Sequence, residues 1–140
     1  MDGTLSIRAL TDADRGSVKA LWITCGLVVP YNDPDADIDL AAGRENSDIL
    51  VGTLADHGVV ASAMVGHDGH RGWLYYVAVD PAHRDAGFGR VMVRAGEDWL
   101  RARGIRKAQL LVRKTNTAVR AFYERIGWAE SPRTVMERWL

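Results

Sequence analysis

The segment from Arg84 to Arg90 contains residue types that can hold an anionic group. It lies between an apolar, strand-like stretch and an amphipathic, helix-like stretch, and its sequence is RDAGFGR. Gly87 and Gly89 have no Cβ, so the backbone can turn sharply and a phosphate can approach its amides closely. The first amides of a helix have no intrahelical acceptor and, together with the helix dipole, attract an anion. The segment therefore predicts a phosphate-binding turn, the alternative being a glycine-containing turn that binds nothing.

A second pattern lies downstream and reads NTAVRAFYERIGW from Asn116 to Trp128. Asn116 is well suited to cap the N-terminus of the helix that this segment predicts. Tyr123 follows on the same helix, where a phenol could donate a proton in a reaction. Taken without its context, Tyr123 could equally be an aromatic residue of the core beside Phe122.

The elements that must position these motifs follow from hydrophobic periodicity and turn residues. Alternating or Val-rich stretches predict strands at Leu5–Leu10, Ile49–Ala55, Val59–His67, Trp73–Val79, Gln109–Arg113 and Val135–Leu140. Helical spacing and capping residues predict a helix after Thr11, a short helix at Ile38–Glu45, a helix from the glycine loop to Gly104, and a helix at Ala118–Ile126. On the third helix we expect one face to pack on the sheet, formed by Phe88, Met92, Ala95 and Trp99.

This order, β-α-α-β-β-β-α-β-α-β(-β), predicts an α+β fold. We expect a single domain over residues 1–140, with a mixed, mostly antiparallel sheet flanked by helices in three α/β layers.

The composition of the chain restricts the class of protein. Its 140 residues are 47% hydrophobic and 26% charged, which is the balance of a soluble globular protein. Eighteen basic residues balance eighteen acidic ones, so no net charge attracts the chain to nucleic acid or to an anionic membrane. Because the sequence has one cysteine, Cys25, and no signal-peptide-like or membrane-spanning apolar run, we expect a cytoplasmic protein. His57 and His83 lie far from any metal-like cluster, so no metal site is predicted.

The two motifs and the order of the elements together resemble one family. The strand VAV, the loop RDAGFG, then Asn116 and the run AFY before Gly127 and Trp128 resemble the GCN5-related N-acetyltransferase (GNAT) superfamily along essentially the whole chain. Within that superfamily, the stretches YNDPDADID and GHDGHRGWLYY resemble the small bacterial YpeA-type group. The resemblance implies an acetyltransferase that moves an acetyl group from acetyl-CoA to a primary amine of a small molecule or peptide. It implies direct attack by the amine in a ternary complex.

The resemblance also implies where acetyl-CoA binds. The strands Trp73–Val79 and Gln109–Arg113 would splay apart, and the pantetheine arm would pair with the backbone of Val77 and Val79 like an extra strand. Ala78 between them would also belong to the cofactor-binding residues. The side chain of Asn116 would reach the cofactor arm. The pyrophosphate, next to the positive charge of Arg84, would accept hydrogen bonds from the amides of Asp85, Ala86, Gly87, Phe88, Gly89 and Arg90.

Two catalytic functions follow from the same resemblance. Tyr123 matches the residue that usually acts as the general acid and protonates the departing CoA thiolate, so it would also contact the cofactor. The family's strand is bulged near the positions of Tyr76 and Val77. Backbone amides there would polarise the thioester carbonyl.

The resemblance does not identify the general base. An alkyl amine has a pKa of about 10.4 and must lose a proton before it can attack. Some relatives carry a Glu in the strand before Asn116, whereas this chain has Leu111 and Val112 there. The candidates lie at the expected acceptor end of the cleft and are Asp33, Asp68 and His70. Asp33 could instead cap the second helix, Asp35 or Asp37 could do so equally well, and His70 could belong to an ordinary hairpin turn.

The sequence leaves the acceptor, the oligomeric state and one alternative function open. The missing strand carboxylate supports the alternative, a non-catalytic acetyl-CoA sensor or interaction module on the same fold. The acidic segment Asp33–Asp39 would suit a cationic acceptor by charge complementarity, or would be a solvated loop. Met136 and Trp139 could pair two subunits into a homodimer or complete the sheet of a monomer.

Overall fold

A computed structural model describes residues 3–140 and shows two compact units. The first unit extends to Leu110 and contains the sheet, and the second runs from Leu111 to Leu140 and contains one helix. The expectation of a single domain over residues 1–140 stays a prediction. No helix among residues 3–140 is long and apolar enough to cross a bilayer.

The first unit is built on one sheet, which has five strands in the described residues. Their order in the sheet is their order in the chain: β1 (Ser6–Ala9), β2 (Ser47–Leu54), β3 (Gly58–His67), β4 (Gly72–Val79) and β5 (Ala108–Gln109). The pairs β1–β2, β2–β3 and β3–β4 are antiparallel, and β4–β5 is parallel. The predicted α+β fold with a mixed, mostly antiparallel sheet is confirmed.

Helices of the first unit cover both faces of this sheet, namely α1 (Arg15–Thr24), α2 (Pro34–Ala41) and α3 (Phe88–Arg101). Alternate residues of β2 point to opposite faces. Ile49 and Val51 belong to the core cluster formed with α1 and α2. The next residue after Val51, Gly52, points to the other face and lies against Met92 of α3, where an added Cβ would be only 3.0 Å from the Met92 sulfur. The sheet is therefore sandwiched between α1 and α2 on one side and α3 on the other, as the predicted three layers require.

Two helices differ from their predictions in bounds or in buried face. Helix α2 begins at Pro34 rather than at Ile38, because Asp33 caps it and proline is well accommodated in a first turn. On α3, the buried face consists of Met92, Val93, Gly96 and Leu100, so the predicted face with Ala95 and Trp99 was wrong. The reason is Gly96, which has no side chain and lets Leu74 of β4 approach the helix backbone closely. Apolar periodicity does not identify such a glycine as a core position, because glycine has no apolar side chain.

The strands predicted near the C-terminus are shorter or absent. β5 covers Ala108–Gln109 instead of Gln109–Arg113. The second unit contains α4 (Thr117–Arg125), and residues 126–140 contain no strand, so the closing strand predicted at Val135–Leu140 was wrong. Its four apolar residues come in adjacent pairs, Val135 with Met136 and Trp139 with Leu140. Adjacent residues of a strand point to opposite faces, so this pattern gives no apolar face to bury.

Candidate active site

Strand β4 carries a bulge in the middle of its pairing with β3. The register passes from Met64 opposite Tyr75 to Ser62 opposite Ala78, so that two residues of β4, Tyr76 and Val77, share one position of β3. Tyr76 adopts a left-handed conformation with φ 49°, which is costly for a residue with a bulky side chain. This is the position at which the sequence predicted a bulge.

Three contacts hold Tyr76 in this conformation. Its ring stacks on Trp22 of α1 with centroids 3.8 Å apart and an interplanar angle of 11°. Its hydroxyl donates to Oδ2 of Asp37 on α2 at 2.6 Å, and its carbonyl accepts from Oγ of Ser62 on β3 at 2.8 Å. Burial and the Asp37 carboxylate raise the pKa of the Tyr76 hydroxyl, so the phenol keeps its proton. The bulge is therefore anchored to both neighbouring helices and to β3.

The other edge of β4 is open along most of its length. Pairing with β5 is confined to Gly72 with Ala108 and Trp73 with Gln109, so no strand among residues 3–140 pairs with the rest of β4 on this side. The amide of Asp80 donates to the carbonyl of Val60 at 2.8 Å. Bonded and non-bonded positions alternate in an antiparallel pair, so the backbone groups of the preceding residue, Val79, point toward the open edge. An extended ligand can pair there as an added strand.

The glycine loop leads from this strand into α3. Asp85 and Gly87 both have left-handed φ angles, 69° and 81°. Gly87 is the N-cap of α3 and makes no side-chain capping hydrogen bond, so the first amides of the helix have no acceptor from the cap residue. The first amides of a 14-residue helix therefore face the loop, and the binding of an anion there stays a prediction.

The two arginines of the loop have different surroundings. Arg84 folds back along the strand, where its Nε lies 3.4 Å from the carbonyl oxygen of Val79 and its Nη2 lies 3.9 Å from Sγ of Cys25. Arg90 instead lines a groove of about 730 Å³ between α3 and β1, together with Arg94 and Trp99. Arg90 can therefore contribute its amide to the loop while its side chain lies in the groove.

Asn116 and Tyr123 lie in the second unit, on α4. Asn116 is the N-cap, and its side-chain oxygen accepts from the amide of Val119 at 3.2 Å, as predicted for a cap. The Tyr123 ring makes edge contacts with Phe122 and Trp128 at centroid distances of 5.0 and 5.8 Å. Burial raises the pKa of Tyr123 to about 12, so its hydroxyl is protonated at neutral pH. A proton donor needs this state.

The three candidate bases lie in the first unit and have structural partners. Asp33 accepts from the amide of Asp35 at 2.9 Å and so caps α2. Asp68 accepts from the amides of Arg71 and His70 in the β3–β4 turn, and these hydrogen bonds lower the pKa of its carboxyl group. The His70 side chain is exposed on the same turn. A catalytic function for any of them stays a prediction.

Most carboxylates of the acidic segment Asp33–Asp39 already have an ion-pair or hydrogen-bond partner within the first unit. Asp35 pairs with Lys19 at 2.7 Å and with Arg15 at 3.3 Å, and Asp39 pairs with Arg15 at 2.7 Å. Asp37 differs, because its hydrogen-bond donor is the neutral hydroxyl of Tyr76. Asp37 is half-buried, and within the part of the chain that the structure describes no Lys or Arg side chain forms an ion pair with it.

Residues 3–140 contain no group of three or more His, Cys, Asp or Glu side chains that could hold a metal ion. His57 and His83 are nevertheless neighbours, with ring centroids 4.7 Å apart. Cys25 lies at the C-terminus of α1, where its Sγ is 3.3 Å from the Val79 carbonyl oxygen. These side chains pack beside the strand and the loop rather than forming a cluster.

Comparison with known proteins tests what this geometry represents. The model of the acetyltransferase (GNAT) family matches residues 16–128. This chain belongs to the GNAT family. The predicted resemblance is thereby confirmed, and the chain is an acyltransferase. An acetyltransferase of Yersinia enterocolitica is 36% identical over 132 residues, which cover 94% of this chain and 92% of that relative.

Solved structures show the same GNAT fold at lower sequence identity. The ribosomal-protein-S18-alanine N-acetyltransferase from Escherichia coli has a TM-score of 0.76 and 22% identity, covering 91% of this chain and 79% of that one. The acetyltransferase AAC(6')-Iy, in complex with a bisubstrate analogue containing CoA, has a TM-score of 0.77 and 19% identity, covering 98% and 99%. The more specific resemblance to the YpeA-type group stays a prediction.

Sequence reasoning missed the side chains that support the GNAT bulge. Ser62 is fully buried, and with Trp22 and Asp37 it surrounds Tyr76. One signal was available, because Ser62 is a hydroxyl residue inside an otherwise apolar strand, VVASAMV. Such a residue needs a buried hydrogen-bond partner. The sequence does not tell which partner it has.

Proposed function

We propose that this GNAT enzyme transfers the acetyl group of acetyl-CoA to a primary amine of a small molecule or peptide, by direct attack in a ternary complex. The observation that carries the proposal is the open edge of β4, which has a bulge in its middle and the glycine loop at its end. Along acetyl-CoA the thioester comes first, the extended pantetheine arm second and the pyrophosphate third. The sequence of features along the strand matches that order.

Each part of the cofactor has a proposed partner. The pantetheine arm pairs with the outward backbone groups of Val77 and Val79 and lies against Ala78 between them. The pyrophosphate binds the loop amides from Asp85 to Arg90, with Arg84 adding positive charge. Asn116 reaches the cofactor arm, as the motif of the family implies. The solved complex of AAC(6')-Iy with a CoA-containing analogue supports a CoA-type ligand for this fold.

The reaction then needs three functions from the chain. The Val77 amide at the bulge donates to the carbonyl oxygen of the thioester, which favours attack of the neutral amine on the carbonyl carbon. The C–S bond breaks as the tetrahedral intermediate collapses, and Tyr123 donates its proton to the sulfur that leaves. The attacking nitrogen loses its extra proton to solvent as the amide forms, and the Tyr123 phenolate regains a proton from solvent. We propose His70 as the group that accepts the ammonium proton before attack, because its imidazole can act as a base and its side chain is exposed on the β3–β4 turn.

Calorimetric titration with acetyl-CoA and then CoA tests the cofactor part. We expect saturable one-site binding of both. A panel of primary amines, assayed by release of free thiol and by mass of the product, tests transfer. Binding without turnover on any amine would instead favour the acetyl-CoA sensor, and binding of neither ligand would contradict the proposal.

A further inference from the structure

Ser62 is buried where β3 faces the bulge of β4. Its exposed fraction is 0%, so this polar residue is fully buried between two alanines of the strand, Ala61 and Ala63. Its Oγ accepts from the indole N–H of Trp22 at 2.9 Å and lies 2.8 Å from the carbonyl oxygen of Tyr76. The indole N–H can only donate, so the single hydroxyl proton of Ser62 is left to donate to Tyr76. The direction of both hydrogen bonds is therefore determined.

The Ser62–Tyr76 hydrogen bond also determines where the next amide points. In a trans peptide the carbonyl and the following N–H point in opposite directions. Because the Tyr76 carbonyl points to Ser62 on β3, the N–H of Val77 points away from β3. Neither residue has a register partner in β3. The Val77 N–H is thus available to a ligand on the side of β4 away from that strand.

We propose that Ser62 is a positioning residue for catalysis, whose hydroxyl holds the Tyr76–Val77 peptide so that the Val77 N–H donates to the thioester oxygen. The inference rests on the proposed acetyl transfer. Two further contacts act on the same residue, since Trp22 stacks on the Tyr76 ring and Asp37 accepts from its hydroxyl. These contacts hold the side chain of Tyr76, whereas Ser62 alone among the three holds its carbonyl.

The decisive variant is Ser62→Ala, which removes the hydroxyl and leaves the Tyr76 carbonyl free to rotate. We expect kcat to fall about 100-fold, the usual loss for one oxyanion donor, with the Kd of acetyl-CoA changed less than about twofold. Trp22→Phe removes the Trp22–Ser62 hydrogen bond and some buried volume but keeps an aromatic ring against Tyr76, so the melting temperature should fall while kcat falls much less than in Ser62→Ala. Ser62→Cys, which has a weaker donor of similar size, should fall between the wild type and Ser62→Ala.

Val65→Ala is the control for loss of stability alone, because Val65 is fully buried on the same strand but pairs with Leu74, away from the bulge. It should melt at a lower temperature and keep its kcat. A second readout does not need an acceptor. The carbonyl stretch of bound, isotope-labelled acetyl-CoA should shift to lower frequency in the wild type and return toward its free value in Ser62→Ala.

Three results would overturn the inference while leaving acetyl transfer intact. They are a wild-type kcat in Ser62→Ala, an unchanged carbonyl stretch in that variant, or an equal loss of kcat in Val65→Ala. Failure of the proposed function looks different, because the wild-type protein would then not bind acetyl-CoA or would not acetylate any amine. In that case NMR coupling at Tyr76 still tests whether Ser62 holds the left-handed conformation. Coupling that is the same in Ser62→Ala would contradict even this structural part.

Discussion

The proposed acetyl-donor end and the proposed acceptor end of the first unit differ in the groups that form them. The donor end, at the bulge and the glycine loop, consists of backbone amides whose directions are set by unusual φ angles and by hydrogen bonds. The acceptor candidates, Asp33 and His70, are side chains at a helix cap and on an exposed turn. Backbone geometry of this kind requires a defined spacing and, at Gly87, a glycine, whereas side chains on turns can change without affecting the fold. The sequence of such a chain can therefore indicate where the acetyl donor binds without indicating which acceptor the enzyme uses.

The largest effect should come from the proposed general acid. Tyr123→Phe removes the hydroxyl and keeps the ring that contacts Phe122 and Trp128, so α4 should fold normally. We expect kcat to fall about 100-fold with little change in the Kd of acetyl-CoA, because general acid catalysis typically contributes about 10² to 10⁴. Steady-state kinetics and calorimetry measure the two quantities. Phe122→Leu is the matched control on the same helix, and an unaltered kcat in Tyr123→Phe would remove Tyr123 from the mechanism.

The pH dependence of the reaction tests the same hydroxyl in the wild type. Burial raises the pKa of Tyr123 to about 12, above the ordinary value of about 10, so the proton donor is present until the pH approaches the raised value. We expect kcat/KM to rise with pH as the acceptor amine loses its proton, without a decline below about pH 11. A pH series with stability checked at each point measures this. A decline centred near pH 9 that disappears in Tyr123→Phe would show that the phenol ionises far more easily.

The next largest effect is expected from a glycine-to-alanine substitution before α3, compared with the same substitution after it. Gly87 precedes the helix with φ 81° and Gly104 follows it with φ 77°, and a Cβ added at either would meet no atom within 4 Å. Alanine at each position should cost a similar amount of stability, about 1–2 kcal/mol for a left-handed alanine. Only Gly87→Ala disturbs the amides of the loop, so we expect its Kd for acetyl-CoA to rise about tenfold while Gly104→Ala binds normally. Equal affinities in calorimetry would show that the loop does not hold the pyrophosphate.

The features predicted correctly from the sequence are those with strong local signals. The antiparallel strands β2, β3 and β4 are Val-rich and bounded by turn residues, and they were located to within two residues. The bulge at Tyr76 was predicted only through the family resemblance. Its support by Ser62 joins residues 14 positions apart in the chain, and its support by Asp37 joins residues 39 apart. Hydrogen bonds over such separations leave no periodicity in the sequence.

The start of α2 and the buried face of α3 show why the other predictions were wrong. The segment Asp33–Asp39 contains four acidic residues, and any of Asp33, Asp35 and Asp37 could have been the cap, so the sequence did not locate the helix start. On α3, Gly96 is a core position because Leu74 lies against it. Close approach of two elements is a property of the packed structure rather than of either segment.

A smaller effect is expected at the acceptor end. His70→Ala should lower kcat/KM about five- to tenfold at neutral pH and less at high pH, where the amine is already deprotonated. Asp33→Asn preserves a good helix cap while removing the carboxylate, so it separates capping from base catalysis. We expect Asp33→Asn to retain wild-type kinetics and stability. A loss above tenfold in that variant would assign the base to Asp33, and equal kinetics in His70→Ala would exclude His70.

The smallest effect concerns the charge of the acceptor. The segment Asp33–Asp39 can favour a cationic acceptor mainly through Asp37, because Asp35 and Asp39 already pair with Arg15 and Lys19. The reacting amine must be neutral, so Asp37 would attract a second ammonium group of the acceptor. Asp37→Asn still accepts from the Tyr76 hydroxyl and loses only the charge. We expect it to raise the KM of a diamine about threefold, the scale of a partly solvated ion pair, and to leave a monoamine of equal length unchanged.

Asp39→Asn is the matched control for this comparison, since Asp39 is exposed and its ion pair with Arg15 lies on the outside of α2. It removes the same charge from the same helix without touching Tyr76. If both variants raise the KM of the diamine equally, the field of the whole segment attracts the acceptor. If only Asp37→Asn does so, the acceptor binds beside the bulge, and the donor and acceptor ends meet at Tyr76. If neither variant raises the KM of the diamine, the acidic segment only stabilises the packing of α1 and α2. The enzyme then does not bind a second positive charge of the acceptor.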